Sequence, residues 1–231
     1  MSDGVVYVVF GKQAQALCAK SLASLRKYNP DLPVVVVGDM PMYKYHVRRI
    51  PWKKDTAAYN AKRSKRFRFE SGIVKPALFD ISPFDNTLYL DVDTEIRGDI
   101  TQGFDFLDFG DFAIAPHNHT VEWYIPSRST KKSKREYAET CAEFGIGAEL
   151  YWNSGVFFWR KNECTKELFR LWHEEWERYK PWNEQLSLMR ASQRVENCEV
   201  MFIERQIWNT NQPDERTKIF HDYGKGTASK K

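Results

Sequence analysis

The chain has 231 residues, of which 42% are apolar, enough to bury the core of one large domain. Its 35 basic and 31 acidic residues leave a formal net charge of +4, so no whole-molecule field favours a polyanionic partner. Aromatic residues make up 15% of the chain, a share that suits a cleft in which rings stack on sugars or bases. We expect one domain over residues 1–226, a flexible tail at 227–231 and no transmembrane segment.

The N-terminus and the cysteines favour an intracellular protein. The first ten residues lack the basic flank and the long apolar region of a secretory signal, so we expect a cytoplasmic location. The four cysteines are widely spaced and form no CxxC pair, which favours reduced thiols over a disulfide framework or a zinc site. They are Cys18, Cys141, Cys164 and Cys198.

The beginning of the chain has the pattern of a β-α-β unit. Residues 5–10 form an apolar run of β-branched and aromatic side chains, which predicts a buried strand. Residues 12–28 carry leucines near helical spacing, and residues 33–37 form a second apolar run. The two strands are expected to be parallel and joined by the helix.

A basic stretch and then a short strand follow. Residues 44–75 are crowded with basic side chains and predict a loop followed by a helix. The helical pattern continues over 75–80 until Ser82 and Pro83 break it. Residues 87–90 then predict a buried strand that runs into Asp91 and Asp93. Because ligands bind beside the carboxyl ends of strands in open α/β sheets, these acids are expected at a ligand-binding edge.

The second half of the chain continues the alternation of strands and helices. The predicted strands cover residues 111–115, 152–159, 200–203 and 218–220, and the predicted helices cover 164–179 and 184–191. The polar segment 116–147 shows no clear period, and we interpret it as a variable insertion. The sequence therefore predicts an α/β fold with a mixed, mainly parallel central sheet flanked by helices.

Asp91 and Asp93 are separated by one residue directly after an apolar strand. Two carboxylates held side by side repel each other unless a cation lies between them. Carboxylate oxygens suit Mg²⁺ or Mn²⁺, which often keep coordination positions open for the phosphate oxygens of a substrate. A turn with two solvated acids is the alternative interpretation of so short a motif, and only its context can decide.

Several segments of the chain, including the one that contains the two acids, resemble the motifs of a known family. Residues 89–94 resemble the DxD core of GT-A fold glycosyltransferases, especially family 8, which includes glycogenin and bacterial galactosyltransferases. Three segments resemble further motifs of that family in the same order: the lysine-led helix at 75–79, Asn-Ser-Gly-Val at 153–156 and Glu-Gln at 184–185. Residues 220–225 are similar to its C-terminal His-x-x-Gly-x-x-Lys, although Lys225 stands two positions early.

The resemblance implies a metal-dependent enzyme that moves a sugar from a nucleotide-diphosphate sugar to a hydroxyl of a glycan or glycoprotein acceptor. It favours a UDP-sugar donor and retention of the anomeric configuration. It also implies that Mn²⁺ (or Mg²⁺) is held by Asp91, Asp93 and His221. Residues 1–100 would form the nucleotide-binding half and residues 101–226 the half that holds donor sugar and acceptor.

The other implied site residues fall into three groups. Those implied to contact the nucleotide or diphosphate are Val9, Phe10, Gly11, Arg68, Lys75, Tyr89, Val92, Gly224 and Lys225. The catalytic candidates are Glu184, Gln185 and Asn153, and the sugar or acceptor contacts are Ser154 and Gly155. The acceptor pocket would be shaped by segment 116–147, which contains His117, His119, Trp123 and Tyr124.

Ordinary structural roles compete with several of these assignments. Lys75 could be a solvated helix residue, and His221 could be a strand-end histidine bonded to the backbone. Glu184 could be an acid at the start of a helix, where the helix dipole favours negative charge. The two nearby histidines, His117 and His119, are an alternative pair of metal ligands that we rank below a role in shaping the pocket.

Two other functions compete with glycosyl transfer. A sugar-phosphate nucleotidyltransferase would share the sheet and the metal, but it usually carries a glycine-rich basic loop near the N-terminus, which Gly11 and Lys12 match poorly. A nucleic-acid-binding module could use the basic stretch 44–75 with its interleaved aromatic residues. Such a module has no use for the ordered acids and His221, so no nucleic-acid partner is expected.

Overall fold

Alternating strands and helices make up the computed structural model, which describes residues 1–38, 48–51, 74–127, 130–180 and 184–223. The strands are β1 Asp3–Val9, β2 Val34–Gly38, β3 Arg48–Pro51, β4 Asn86–Leu90, β5 Thr94–Ile96, β6 Phe112–Thr120, β7 Leu150–Arg160, β8 Val200–Phe202 and β9 Ile219–His221. The α-helices are α1 Gly11–Tyr28, α2 Leu78–Ile81, α3 Val121–Ser127, α4 Lys131–Phe144, α5 Glu163–Tyr179, α6 Gln185–Ser192 and α7 Arg205–Trp208. Short 3₁₀ helices lie at Lys75–Ala77, Thr101–Asp108 and Ile146–Ala148.

Seven of the strands form one sheet in the order β3-β2-β1-β4-β7-β6-β8. β7 runs antiparallel to both of its neighbours, and every other pair of neighbouring strands in this sheet is parallel. The predicted mixed, mainly parallel sheet flanked by helices is confirmed. The predicted β-α-β opening is confirmed as well, since β1 and β2 are parallel neighbours connected by α1.

The central strands are buried on both faces, which explains their uninterrupted apolar runs. In β1, Val5, Tyr7 and Val9 pack into the core on the α1 side of the sheet. Val6 and Val8 point to the opposite core, which contains residues of α5 and α6. Because successive side chains of a strand alternate between its faces, a strand between two helical layers needs apolar residues at every position.

The sheet brings the carboxyl ends of β1 and β4 to the same edge. Tyr7 of β1 lies beside Leu90 of β4 in a parallel pair, so both strands end at about the same level. The chain leaves β4 at Asp91 and soon enters β5, which pairs antiparallel with β9 in a separate two-stranded sheet. In this pair Thr94 lies opposite His221. The last strand therefore returns to the edge where the two acids lie.

Segment 116–147 contains a strand end and two helices, which the lack of a clear period did not predict. β6 continues to Thr120, and the helices α3 and α4 follow. Thr130 caps α4 by accepting a hydrogen bond from the Ser133 amide, and Gly145 ends the helix with a left-handed φ of 70°. The buried face of α4 includes polar Glu136 and Thr140, so no apolar period marks the helix in the sequence.

The basic stretch 44–75 was predicted to be a loop followed by a helix, and the strand at its beginning was not predicted: residues 48–51 form the edge strand β3. Its clustered basic side chains, Lys62, Arg63, Lys65, Arg66 and Arg68, lie outside the described residues. The same is true of residues 224–231, which hold the predicted domain end and tail. None of the described helices combines the length and the apolar character needed to cross a lipid bilayer.

Candidate active site

Asp91, Asp93 and His221 come together at the carboxyl end of β4, with one potential ligand atom of each within 4.8 Å of the others. His221 Nε2 lies 3.2 Å from Asp93 Oδ1 and 3.7 Å from Asp91 Oδ2. The histidine is buried, whereas 29% of the Asp91 side chain is exposed. The three groups therefore form a polar cluster that solvent reaches on the side of the acids.

Asn209 fixes the orientation of His221. His221 Nδ1 lies 2.8 Å from Asn209 Oδ1, and Asn209 Nδ2 donates to the carbonyl oxygen of Asn153 at 3.3 Å. Because the amide nitrogen is committed to that carbonyl, Asn209 Oδ1 faces the ring and accepts from Nδ1. The other ring nitrogen, Nε2, is therefore directed at Asp91 and Asp93. Two carboxylates and a ring nitrogen directed at one point fit a divalent cation bound by oxygen and nitrogen.

Gly155 provides the space in which this cluster forms. A Cβ atom at this position would lie 2.1 Å from His221 Cε1 and 2.9 Å from Asp91 Oδ2. The Gly155 carbonyl also accepts a hydrogen bond from the Asp91 amide at 2.7 Å. The predicted contact of Gly155 with sugar or acceptor stays a prediction, but the residue already has a structural reason to be glycine.

Lys75 is buried beneath the acids and contacts oxygen atoms of three residues. Its ammonium lies 2.7 Å from Glu184 Oε1 and 3.2 Å from Asp91 Oδ1, and it donates to the Ser154 carbonyl oxygen at 3.0 Å. Burial favours the neutral amine, but the two carboxylates outweigh that effect and raise the pKa of Lys75. Lys75 is therefore not a solvated helix residue, and its predicted contact with diphosphate stays a prediction.

Glu184 occupies the N-cap position of α6, where it is 6% exposed. Its Oε1 also accepts a hydrogen bond from Ser154 Oγ at 2.8 Å. Burial favours the neutral acid, but the Lys75 ammonium outweighs it and lowers the pKa of Glu184. The carboxylate is ionised at neutral pH, and a buried ion pair rather than the helix dipole alone explains its place.

Tyr89 acts on Asp91 through its hydroxyl group, which donates to Asp91 Oδ1 at 2.6 Å. Burial and the charge of Asp91 raise the pKa of Tyr89 well above its usual range, so the hydroxyl keeps its proton. Together with Lys75, Tyr89 leaves Asp91 Oδ2 as the oxygen that faces His221. The predicted nucleotide contact of Tyr89 is thus accompanied by a contact that orients the first acid.

Asn153 and Gln185 are also engaged by the protein. Asn153 Oδ1 accepts a hydrogen bond from the Gly155 amide at 3.0 Å, so its side chain is tied to the backbone of β7 next to the acids. The Gln185 amide group donates to the Trp152 carbonyl oxygen and lies 3.4 Å from His117 Nε2. Their predicted catalytic roles stay predictions, since these contacts position the residues at the cleft without assigning a reaction to them.

Aromatic side chains from β6, α3 and β7 form a continuous cluster next to Gln185. His117 stacks on Tyr151 at 5.7 Å, and Tyr124 lies 4.4 Å from Tyr151. At the outer end, Trp123 stacks on His119 at 4.0 Å and is 52% exposed. Burial, with added repulsion from Arg205, lowers the pKa of His117 to about 4, so its ring is neutral near pH 7. The cluster therefore offers uncharged ring faces beside the cleft.

The remaining predicted site residues are divided between the edge of the sheet and the part of the chain outside the described ranges. Val9, Phe10 and Val92 are buried at the carboxyl ends of β1 and β4. Gly11 starts α1 with a φ of 79°, so it is the backbone conformation that requires glycine there. Outside the described residues lie Arg68, Gly224 and Lys225.

Two residues that support His221, Asn209 and Tyr223, carry no signal in the sequence. Asn209 is fully buried at the C-cap of the four-residue helix α7. Tyr223 donates its hydroxyl proton to the Asn209 carbonyl oxygen at 2.6 Å and packs its ring 4.5 Å from His221. An isolated asparagine in a polar stretch has no motif around it, so the contact with His221 is visible only in the folded chain.

Solved structures share this architecture. The galactosyltransferase LgtC in complex with donor and acceptor sugar analogs superposes with a TM-score of 0.62 at 16% identity, covering 95% of this chain and 86% of that one. Mouse xyloside xylosyltransferase 1 in its apo form gives 0.59 at 12% identity over 97% and 98%. The glycosyltransferase GlyE of Streptococcus pneumoniae TIGR4 gives 0.52 at 16% identity over 89% and 46%. The fold is that of the GT-A glycosyltransferases.

The family assignment comes from the sequence. A family model for nucleotide-diphospho-sugar transferases matches residues 86–208, more than half of the chain. The chain belongs to the nucleotide-diphospho-sugar transferase family, and the predicted enzyme class, glycosyltransferase, is confirmed. No curated protein matches the chain in sequence.

Proposed function

We propose that the protein transfers a sugar from a UDP-sugar to a hydroxyl of a glycan or glycoprotein acceptor, with retention and with the help of Mn²⁺ or Mg²⁺. The observation that carries the metal requirement is the convergence of Asp91, Asp93 and His221 Nε2. The resemblance to family 8 supports UDP and retention. The LgtC structure was solved with donor and acceptor sugar analogs, which supports a cleft that takes two substrates.

The metal ligands would be Asp91, Asp93 and His221, a set that offers carboxylate oxygens and an imidazole nitrogen. A bound divalent ion supplies positive charge that stabilises the departing diphosphate. Lys75 holds Asp91 in position with a 3.2 Å contact, and Asn209 does the same for His221. Lys75 and Asn209 are therefore positioning residues, which act on the ligands of the ion.

Glu184 is proposed to face the donor sugar with its negative charge. Positive charge develops at the anomeric carbon as the bond to the diphosphate breaks, and a fixed carboxylate stabilises that charge. Lys75 and Ser154 hold Glu184 ionised and immobile, so little reorganisation is needed during the reaction. Asn153, Ser154 and Gln185 are proposed to hold the reacting sugar against the acceptor hydroxyl.

The acceptor is proposed to bind along the aromatic cluster that leads from His117 to Trp123. Flat ring faces suit the apolar faces of sugar rings, while the ring nitrogens and hydroxyl groups suit sugar hydroxyls. The cluster starts 3.4 Å from the Gln185 side chain, which places it beside the catalytic candidates. On this proposal residues 1–100 serve the nucleotide, and residues 101–226 serve donor sugar and acceptor.

The experiment that tests this function is a thermal-shift screen of nucleotides with and without Mn²⁺. UDP is expected to raise the melting temperature when Mn²⁺ or Mg²⁺ is present and to have little effect in chelator, because the acids accept a diphosphate only through a cation. A transfer assay with UDP-sugars then identifies the donor. An equal UDP shift in chelator would contradict the metal requirement, and a larger shift with a different nucleotide would contradict the choice of UDP.

Glu184→Gln is expected to lower the turnover of transfer or donor hydrolysis by about a hundredfold, while UDP and Mn²⁺ binding stays within about threefold of wild type. The amide oxygen can still accept from Ser154 and Lys75, but the negative charge beside the sugar is lost. Turnover and the UDP-dependent thermal shift are measured on the same preparations. Glu204→Gln is the matched control, because Glu204 is exposed and pairs with Arg216. Unchanged turnover would leave Glu184 with a structural role only.

Gly155→Ala is expected to weaken Mn²⁺-dependent UDP binding by at least about tenfold, because the added methyl group must displace His221 or Asp91. The UDP affinity is measured by titration at saturating Mn²⁺. Gly98→Ala serves as the control, since a Cβ atom there meets Lys218 Cγ at an ordinary 3.6 Å. Wild-type affinity in the Gly155 variant would show that the site can absorb the methyl group.

A further inference from the structure

A second cluster of ligating side chains lies at the opposite end of the sheet. One sulfur atom each from Cys164 and Cys198 and one carboxylate oxygen of Asp111 lie within 4.8 Å of one another, and all three residues are half-buried. The cluster follows the end of β7 at Arg160, which pairs with Asn86 at the start of β4. Since β4 has five residues, this end is about 15 Å from the proposed active site.

The three side chains are held in place by neighbouring groups. Asp111 Oδ1 accepts from Asn162 Nδ2 at 2.6 Å, and Asp111 Oδ2 accepts from the Glu199 amide at 3.0 Å. Cys164 Sγ donates to Asn162 Oδ1 at 3.1 Å. Asn162 also caps α5, so the first turn of the helix and the carboxylate share one anchor. The contacts to Asp111 orient its carboxylate before any ligand arrives, as the outer contacts of a metal site do, whereas the Cys164 S–H contact is given up when the thiol loses its proton to the ion.

We propose that Asp111, Cys164 and Cys198 bind Zn²⁺. Two thiolates with one carboxylate form a donor set that selects zinc over the magnesium or manganese of the active site, because sulfur is a soft ligand. A disulfide would use the two sulfurs alone, whereas the oriented carboxylate at the same distance favours a cation. Binding replaces two S–H bonds by two Zn–S bonds and releases two protons to solvent, and water completes the tetrahedral coordination.

The ion would join three segments that are far apart along the chain. Asp111 precedes β6, Cys164 belongs to the first turn of α5, and Cys198 precedes β8. β8 is a three-residue strand at the edge of the sheet and pairs with β6. A zinc link at its start would hold that edge strand to α5. The wide spacing of the cysteines in the sequence favoured free thiols over a zinc site. Cys164 and Cys198 come together only in the folded chain, so no local motif indicates their proximity.

The test is a Cd²⁺ titration of the reduced, metal-free protein, monitored by the ultraviolet charge-transfer absorption of cadmium–thiolate bonds. One equivalent is expected to give the band in wild type and in Cys141→Ser, and none in Cys164→Ser or Cys198→Ser. Asp111→Asn is expected to weaken the Cd²⁺ affinity by at least about tenfold. The proposed active-site ligands contain no sulfur, so this band is independent of the proposed function. A band that survives the loss of both thiols would overturn the site.

A second measurement needs no variant. Zn²⁺ is expected to slow alkylation of Cys164 and Cys198 by iodoacetamide at least about tenfold in the wild-type protein, with Cys141 as the internal reference. Mass spectrometry of peptides reads each cysteine separately. Equal alkylation rates with and without Zn²⁺ would overturn the proposal. So would a reduced protein that binds no Cd²⁺ but forms a Cys164–Cys198 disulfide when oxidised glutathione is added.

Discussion

Asp93→Asn is expected to remove most Mn²⁺-dependent UDP binding and to reduce sugar transfer by about two to three orders of magnitude. The substitution keeps the size of the side chain but removes a negative charge 3.2 Å from His221 Nε2. Glu95→Gln, two residues further on, is the matched control, because Glu95 is exposed and pairs with Arg97. UDP affinity, turnover and the melting temperature without ligand are measured for both variants. Full Mn²⁺ dependence in Asp93→Asn would remove this acid from the metal site.

His221→Ala tests whether the three residues act as one unit. Alone, it is expected to weaken UDP binding and transfer, though less than Asp93→Asn, because a neutral ligand is lost. In the double variant the two losses should be far from additive, since a second removal finds little of the site left to disrupt. Additive free energies in this cycle would mean that His221 and Asp93 serve different ligands. The ligand-free melting temperature checks that both variants remain folded.

Arg190→Ala is expected to lower the free energy of unfolding by about 3–5 kcal/mol. Arg190 is fully buried and contacts Glu175 Oε2 at 2.7 Å, Glu136 Oε1 at 3.1 Å and Thr140 Oγ1 at 3.0 Å. Removing the guanidinium leaves Glu136 without its buried cationic partner, and burial already raises the pKa of this acid. Urea denaturation measures the change, with a constant m-value showing that the same unfolding transition is compared.

The control for this effect is Arg170→Ala on the exposed face of α5. Arg170 pairs with Glu167 and Glu174, but its side chain is 51% exposed, so its loss is expected to lower the free energy of unfolding far less than the loss of Arg190 does. A loss of stability in Arg190→Ala as small as that in Arg170→Ala would mean that Arg194, which lies 2.9 Å from Glu175 Oε1, compensates for the missing Arg190. A large difference assigns the stability to the buried cluster that joins α4, α5 and α6.

Strands buried on both faces were predictable because each is encoded in consecutive residues. Residues 5–10 and 33–37 are apolar at every position, and the structure places residues 5–9 in β1 and 34–37 in β2. The position of Asp91 and Asp93 followed from the same reasoning, since the acids come directly after a buried strand. The resemblance added His221, which composition and periodicity alone could not have connected with the acids.

Features that depend on distant residues were not predictable from local patterns. Glu136 and Thr140 are buried in α4 because Arg190, about fifty positions later, provides their partner. Asn209 acts on His221 through one side-chain contact, and Cys164 meets Cys198 because α5 and the segment before β8 begin at the same end of the sheet. In each case a polar side chain is stabilised by a group that no periodicity connects with it.

His221 lies on β9, so any binding of a cation to His221 is coupled to the pairing of β9 with β5. β9 has three residues and lies outside the seven-stranded sheet, paired with β5. Backbone contacts hold it in place, among them His221 N to Thr210 O at 2.8 Å and Asp222 N to Asp93 O at 3.1 Å. A cation that binds more tightly when β9 is paired with β5 stabilises that pairing. The stabilisation equals the difference between the cation's binding free energies for the paired and unpaired forms. On the proposed function, amide exchange along β5 and β9 is expected to slow as Mn²⁺ and UDP are added.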